Sequence, residues 1–201
     1  MKMSIDSHRS MRAANFDTRP KKVALNASRR GAPPRTEIVI QSPLWNAQRN
    51  ARRVLRRALN EATAATATRE EGELALVLTD DATMRGLNRK WRRKNSATNV
   101  LSFPTQHPPR SENAVRLLGD IVIAFETCAR EAHAQGLSFT DHLAHLAVHG
   151  FLHLVGYDHI ADEEAHRMEA LEAAILDRLH IANPYGRSGA PARVQSSRVQ
   201  S

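Results

Sequence analysis

Residues 140–159 read TDHLAHLAVHGFLHLVGYDH, and this stretch determines how the rest of the chain must be arranged. From Thr140 to about Val155 the pattern predicts one helix whose side chains, apart from the histidines, are apolar on most sides. A helix that is apolar all round is buried. We therefore expect this helix at the centre of the fold, with the other elements packed around it.

Three histidines of this stretch are predicted to bind a single metal ion. His149 and His153 lie four residues apart, so on a helix they share one face and are one turn apart. Gly156 suits a left-handed helix end, which lets the chain reverse and carry His159 back towards the other two. Three protein ligands leave one tetrahedral position free, as in catalytic rather than structural zinc. We expect one Zn²⁺, although three imidazoles also accept nickel, copper or cobalt.

His145 extends the same histidine ladder by one turn. From His145 to His153 a helix rises about 12 Å, too far for one ion with bonds of about 2 Å to bind both. Because the glycine turn follows His153, the pair of His149 with His153 is favoured, and His145 is expected to be a neighbour of the site.

The histidine spacing is also typical of metzincin proteases, which place a glutamate directly after the first histidine as general base. Here that position is Gly150, which has no side chain to move a proton. A metzincin-like metalloprotease lacking its glutamate is therefore kept only as an alternative. In a hydrolase without that base, the metal itself would activate water.

The motif HGFLHLVGYDH, at 149–159, resembles the signature of the YbeY family of metal-dependent endoribonucleases. Two further segments are similar to the same family: NRKWRRKNSATNVLSFP at 88–104 and LGDIVI at 118–123. The resemblance implies one mixed α/β domain with zinc held by the three motif histidines. It also implies cleavage of single-stranded RNA assisted by an arginine in the basic loop, which by position is Arg92.

The same resemblance implies a biological role and partners. The role would be ribosomal RNA maturation, including processing of the small-subunit rRNA 3′ end, and ribosome quality control in the cytoplasm. The partners would be ribosomal RNA and the ribosome or small-subunit proteins. A second hypothesis is a non-catalytic ribosome assembly factor with structural zinc, which would need a fourth protein ligand such as Asp158 or Cys128. Asp158 and Asp120 are otherwise candidates to orient an imidazole or a water.

Positive charge is concentrated at two places in the predicted domain. One is the end of a helix and the loop beyond it, where no acid occurs between residues 85 and 94. Such a patch beside a metal site suits RNA phosphates, and we expect contacts from Arg89, Lys90, Arg93 and Lys94. The other is a run of arginines on the first predicted helix: Arg49, Arg52, Arg53, Arg56 and Arg57. We interpret that run mainly as the solvated face of an amphipathic helix, with RNA contact as the secondary interpretation.

Composition separates the domain from two basic tails. The chain has 201 residues and a net charge of +8, of which +7 lies in residues 1–36 and +3 in residues 184–201, leaving −2 for residues 37–183. Both tails are predicted to be disordered; for the amino-terminal one, an over-long annotated start and a targeting segment are the other interpretations. The single cysteine, Cys128, excludes an internal disulfide and is expected to be a small buried residue. No apolar run approaches the ~20 residues of a membrane span, so no membrane partner is expected.

The periodicity predicts a single α+β domain, with about four strands in a mixed sheet and about five helices packed around the histidine helix. Strands are predicted at Glu37 to Ile40, Glu73 to Leu78, Asn99 to Phe103 and Leu117 to Ala124. Helices are predicted from Pro43 to about Ala62, Asp80 to about Arg92, Phe125 to about Gln135, Thr140 to about Val155 and Asp162 to about Leu179.

Overall fold

The computed structural model describes residues 34–66, 72–105, 116–159 and 161–185. Within these ranges the strands are β1 (Arg35–Ile40), β2 (Gly72–Thr79), β3 (Val100–Pro104) and β4 (Arg116–Ala124). The α-helices are α1 (Ala51–Thr66), α2 (Asp81–Arg92), α3 (Phe125–Gln135), α4 (Phe139–Leu154) and α5 (Asp162–Arg178). None of these helices has the length and apolar character needed to cross a membrane.

The four strands form one mixed sheet in the order β1-β2-β4-β3. Strands β1 and β2 pair in parallel, as do β2 and β4, whereas β3 pairs antiparallel with β4. The parallel pairs are joined through helices, as parallel connections require. The predicted α+β domain with a four-stranded mixed sheet is confirmed.

Helix α4 is the central element that the sequence predicted. Its residues from His142 to Leu152 are all buried, and it packs against α1, α3 and the β3 and β4 strands. Gly150 makes the approach to the sheet close: a Cβ at this position would lie 2.9 Å from Ile121 Cγ2 and 3.1 Å from Ser102 Oγ. Real Cβ atoms are not found that close to another heavy atom, so only glycine fits between this helix and the sheet.

The two faces of the sheet are covered differently. One face, which includes Leu76 and Ile121, joins α1, α4 and α5 in the main hydrophobic core. On the other face, Leu101 and Val122 pack with Met84 of α2 in a second, smaller cluster. Because side chains alternate along a strand, Ile121 and Val122 place α4 and α2 on opposite sides of β4.

The start of α2 follows its prediction closely. The Asp80 side chain accepts a hydrogen bond of 2.9 Å from the backbone N–H of Thr83, which satisfies a free donor of the first turn. This hydrogen bond lowers the pKa of Asp80. The helix ends at Arg93, whose backbone is left-handed with φ 57°.

The predicted helix from Pro43 to about Ala62 is wrong in its first part. Residues Pro43–Ala47 form a 3₁₀ turn, and α1 begins only at Ala51. The reason is Trp45, which is 1% exposed and donates a 2.8 Å hydrogen bond from its indole to the Thr79 carbonyl. Anchoring this side chain to the end of β2 requires a change of direction before the helix starts.

The edge of the sheet at β1 is also tied to α1. Arg52 donates from its guanidinium to the backbone carbonyl of Ile38 at 2.8 Å. Strand β1 itself begins at Arg35, before the domain start predicted at residue 37. The tails predicted to be disordered are residues 1–36 and 184–201, and of these, residues 1–33 and 186–201 lie outside the described residues.

Candidate metal centre

Helix α4 carries two of the three histidines into direct contact. The Nε2 atoms of His149 and His153 lie 3.2 Å apart, and their ring centroids are 4.7 Å apart. His149 is buried at 5% exposure, and both rings lie in the last two turns of the helix. The predicted i, i+4 arrangement therefore brings the two imidazoles to a common point.

The hydrogen bonds of the outer nitrogens fix which ring atoms face that point. His153 Nδ1 lies 3.0 Å from the Tyr157 carbonyl, and since a carbonyl only accepts, Nδ1 carries the proton and Nε2 carries a lone pair. His149 Nδ1 faces the Glu172 carboxylate at 3.4 Å, which assigns the same tautomer to that ring. Burial, with the nearby His149 and His159 rings, lowers the pKa of His153 to about 4, so the ring is neutral at pH 7.

The chain reverses after α4 and returns His159 to the other two histidines. Gly156 has φ +92°, the left-handed conformation that the sequence predicted at this turn. The His159 ring centroid then lies 5.0 Å from that of His153 and 5.7 Å from that of His149. Both ring nitrogens of His159 are buried and lack a hydrogen-bond partner among the described residues. An imidazole with both nitrogens buried and unpaired is costly unless something else binds it.

Asp158 is closer to the histidines than an outer orienting group needs to be. One donor atom each from His153, Asp158 and His159 lie within 4.8 Å of one another. His149 is outside that set, although it contacts His153. The two groupings share His153, which makes it the centre of the cluster. The Asp158 carboxylate also accepts a 2.7 Å hydrogen bond from the His159 backbone N–H, so it holds the turn as well.

These donors fit a zinc-like ion. A tetrahedral ion with Zn–N bonds of about 2.0–2.1 Å separates neighbouring ligand nitrogens by about 3.3 Å, close to the 3.2 Å between the two Nε2 atoms. Two lone pairs facing each other at that distance repel unless a cation lies between them. The unpaired nitrogens of His159 supply a third donor, on a ring whose centroid lies 5.0 Å from that of His153 and 5.7 Å from that of His149.

Two residues of the site, Glu172 and Tyr185, belong to no motif that the sequence shows. Glu172 of α5 is 0% exposed; its carboxylate lies 2.9 Å from His145 Nε2, and the hydroxyl of Tyr185 donates to it at 2.5 Å. Burial opposes ionisation of Glu172, but hydrogen bonds and charge from the His145 and His149 imidazoles outweigh it and lower its pKa. Burial and the carboxylate raise the pKa of Tyr185. Tyr185 falls in the segment predicted as a disordered tail, and its hydroxyl contacts Glu172.

His145 is a neighbour of the centre, as predicted. Its ring centroid lies 6.5 Å from that of His149, and it reaches Glu172 rather than the shared point between His149 and His153. Asp120, the other predicted orienting carboxylate, is exposed on β4. It lines an open concavity whose other residues, Arg35 and Arg56 among them, include none of the three histidines.

The basic end of α2 carries the other residues that the sequence predicted for the site. Arg92 is half-buried in the last turn of α2, and this burial lowers the pKa of its guanidinium. Trp91 is 60% exposed, lies 5.9 Å from the Phe103 ring between centroids, and has Lys90 Nζ 5.1 Å from its own ring. The predicted RNA contacts Arg89, Lys90 and Arg93 are exposed around them, and Lys94 is partly buried.

Cys128 is buried in α3 with its pKa raised to about 12 by burial, as expected of a small core residue. It belongs to the main core cluster with aliphatic side chains. The neutral thiol that this pKa implies is a poor metal ligand.

Fold and site together define a small α+β protein with a candidate three-histidine metal centre, formed by a buried helix and the turn after it, and with a cationic end on helix α2. The family model described as endoribonuclease YbeY matches residues 40–180. The chain belongs to this family.

Curated relatives agree with the family match. The endoribonuclease YbeY of Rhodopseudomonas palustris strain BisA53 is 49% identical over 76% of this chain and 91% of its own length. That of strain ATCC BAA-98 / CGA009 is 51% identical over 77% of this chain and 82% of its own length. The endoribonuclease YbeY of Paramagnetospirillum magneticum is 57% identical over 57% of this chain and 71% of its own length.

Proposed function

We propose that this chain is a zinc-dependent endoribonuclease that cuts single-stranded regions of ribosomal RNA precursors, including the 3′ end of the small-subunit rRNA. Membership of the family supports the endoribonuclease activity. The observation that carries the metal dependence is the pair of Nε2 lone pairs of His149 and His153, which face each other at 3.2 Å. Ribosome quality control and a cytoplasmic location are part of the same proposal.

In this proposal His149, His153 and His159 hold the ion, and the rest of the site fixes their rings. Glu172 and the Tyr157 carbonyl accept from the outer nitrogens of His149 and His153, so both rings present Nε2 before an ion arrives. When bound, a zinc-like ion supplies a Lewis acid and lowers the pKa of water from 15.7 to about 7. That ability replaces the general base that Gly150 does not provide.

In this proposal, cationic side chains stabilise the charge that develops on the phosphate and bind the flanking phosphates. Attack on a phosphodiester adds negative charge to its non-bridging oxygens, and a guanidinium stabilises that charge through paired N–H donors. Arg92 is the residue we assign to this role, because its partial burial reduces the competition from water. Arg89, Lys90, Arg93 and Lys94 would bind flanking phosphates. The exposed Trp91 ring offers a face to an unpaired base, which favours single strands.

Two alternatives from the sequence compete with this proposal. A metzincin-like protease needs a carboxylate at position 150, where even a Cβ would lie 2.9 Å from Ile121. A closed structural zinc site would need Asp158 as fourth ligand, and its carboxylate is within reach. Water exchange at the bound metal, measured by relaxation with a paramagnetic substitute such as Co²⁺, separates these roles, since a closed shell holds no exchanging water.

The test is metal analysis of the purified protein together with cleavage of a short rRNA precursor, with and without a chelator. We expect about one zinc per chain and loss of cleavage on chelation, with recovery when zinc is restored. The variant His153→Ala should lose both metal and cleavage. The variant His166→Ala, which removes an exposed imidazole of α5, should keep both. Full cleavage by His153→Ala would contradict the proposed metal dependence.

A further inference from the structure

Helix α1 carries a row of arginines that the proposed cleavage site does not use. Four of them lie on the outer side of the helix and are exposed; we call them the arginine stripe: Arg52, Arg53, Arg56 and Arg57. At about 100° per residue they fall within an arc of about 140°. The opposite side, with Leu55 and Ala58 at 0% exposure, packs into the core.

The stripe lies at the unfavourable end of the helix. Arg52 and Arg53 occupy the first turn of α1, which contains no acidic residue. The amino-terminal end of a helix carries a partial positive charge, so cations there destabilise it. Like charges four residues apart, as in Arg53 and Arg57, add a further repulsion.

The molecule supplies little compensation for this charge. Within the described ranges, none of the four guanidinium groups forms an ion pair. Arg52 donates to the Ile38 carbonyl, which carries no net charge. The acid on α1 is Glu61, four residues after Arg57, and the two do not form an ion pair. An ordinary solvated helix face is instead interspersed with acids at i, i+4 spacing.

The stripe also lines a surface that a chain-like anion can enter. All four arginines, with Asn60 and Glu61, line an open concavity on α1. Arg52 and Arg56 continue into a neighbouring concavity, which Arg35 also lines. The acids of that second concavity are Glu37, Glu73 and Asp120, so the uncompensated positive charge is greatest over α1. Neither concavity includes a histidine of the metal centre or a residue of α2.

We propose that the arginine stripe is a second RNA-binding surface, which holds the phosphate backbone of the substrate at a distance from the cleavage site. The inference rests on the proposed function for the identity of the polyanion. Arginines four apart are about 6 Å apart along the helix axis, and each guanidinium can bind a phosphate through two parallel hydrogen bonds. RNA bound there would leave a flanking segment free to reach the metal centre.

The test compares two matched double variants of the full chain. One is Arg53→Gln with Arg57→Gln, in the stripe. The control is Arg167→Gln with Arg178→Gln, which removes the same charge from exposed positions of α5. The probe is a fluorescent polyuridine of about 30 nucleotides with 2′-O-methyl sugars, which keeps the phosphate spacing and resists cleavage, titrated between about 50 and 200 mM salt.

We expect the slope of log K against log salt concentration to be less steep by about 1.4 for the stripe variant, because each lost phosphate contact to a single strand contributes about 0.7 to that slope. At 0.15 M salt this corresponds to binding weaker on the order of tenfold. The control should match the wild type. The melting temperature of the stripe variant should stay equal or rise, because repulsion at the helix start is relieved.

Three results would overturn the inference: an unchanged salt dependence in the stripe variant, an equal loss in both double variants, or a loss of binding accompanied by a fall in melting temperature. An acidic protein as the true occupant would give the first result. The proposed function is tested separately, by cleavage of a short single-stranded RNA by the wild type and by the stripe variant. If the short RNA is not cleaved, the proposed function fails but the binding comparison is unaffected. If the salt dependence is unchanged, the arginine stripe is excluded but cleavage of the short RNA is unaffected.

Discussion

Glu172 faces His149 on the side of the imidazole away from His153, with its Oε1 3.4 Å from His149 Nδ1. The carboxylate comes from another helix, is fully buried, and also binds Tyr185. It therefore fixes the ring orientation of one proposed ligand without being within the histidine cluster itself.

Replacing this carboxylate should weaken metal binding without removing a ligand. We expect Glu172→Gln to lower zinc affinity by about 10- to 100-fold, as loss of an outer hydrogen-bond partner typically does. Competition with a chromogenic chelator measures the change. The variant Glu164→Gln, at an exposed position of the same helix, should bind zinc like the wild type. Equal affinities in both variants would show that Glu172 does not position His149.

Stability should depend on Gly150, where α4 comes close to the sheet. In Gly150→Ala the new Cβ would meet Ile121 Cγ2 at 2.9 Å inside the core, so we expect the free energy of unfolding to fall by about 1–3 kcal/mol. Gly86→Ala is the matched control. Its Cβ meets nothing within 4 Å, and alanine favours a helix by about 1 kcal/mol. Urea unfolding measures both; a stable Gly150→Ala protein would mean that the helix can move from the sheet at little cost.

Arg92 should affect cleavage but not metal binding. Loss of one charge-stabilising donor costs about 10²- to 10³-fold in kcat, so Arg92→Ala should show a fall of that order at unchanged zinc content. Arg85→Ala removes an exposed arginine earlier on α2 and should change kcat little. Unchanged turnover in Arg92→Ala under single-turnover conditions would assign the catalytic cation to another residue.

The carboxylate of Glu131 should make stability depend on pH. Burial raises its pKa, but hydrogen bonds from His142 and Asn99, at 2.9 and 2.8 Å, outweigh burial and lower it below 4.5. The native state therefore binds fewer protons than the unfolded state. Its contribution is present above the ordinary pKa and is lost as pH falls through the lowered value.

We thus expect the difference in unfolding free energy between wild type and Glu131→Gln to be largest near pH 6 and to shrink towards pH 3. Urea titrations over this range test the expectation. The exposed Glu164→Gln should show a smaller change. A difference that stays constant with pH would indicate that Glu131 acts through packing rather than through its charge.

Local patterns predicted the elements that carry the site. The apolar content of α4, the Asp80 cap of α2 and the turn at Gly156 each depend on neighbours along the chain. Their bounds were therefore close to those observed. The spacing of His149 and His153 likewise leaves little freedom once the helix is formed.

The errors arose where a distant contact decides the local structure. Trp45 interrupts the predicted helix because its indole binds the carbonyl of Thr79, on another strand. Glu172 and Tyr185 reach the histidines from α5 and the segment after it. No spacing between neighbouring residues in the sequence predicts these contacts. Asp120 and Asp158 looked equivalent in sequence, whereas only Asp158 lies within the donor cluster.

The bond from Arg52 to the Ile38 carbonyl has a consequence for self-association. Strand β1 is an outer strand of the sheet, and the free backbone groups of such strands are templates for pairing with other molecules. Arg52 of α1 occupies one of those acceptors with a charged side chain, which opposes pairing of β1 with an edge strand of another molecule. The same helix that packs the core thus leaves one acceptor fewer on this edge for a strand of another molecule.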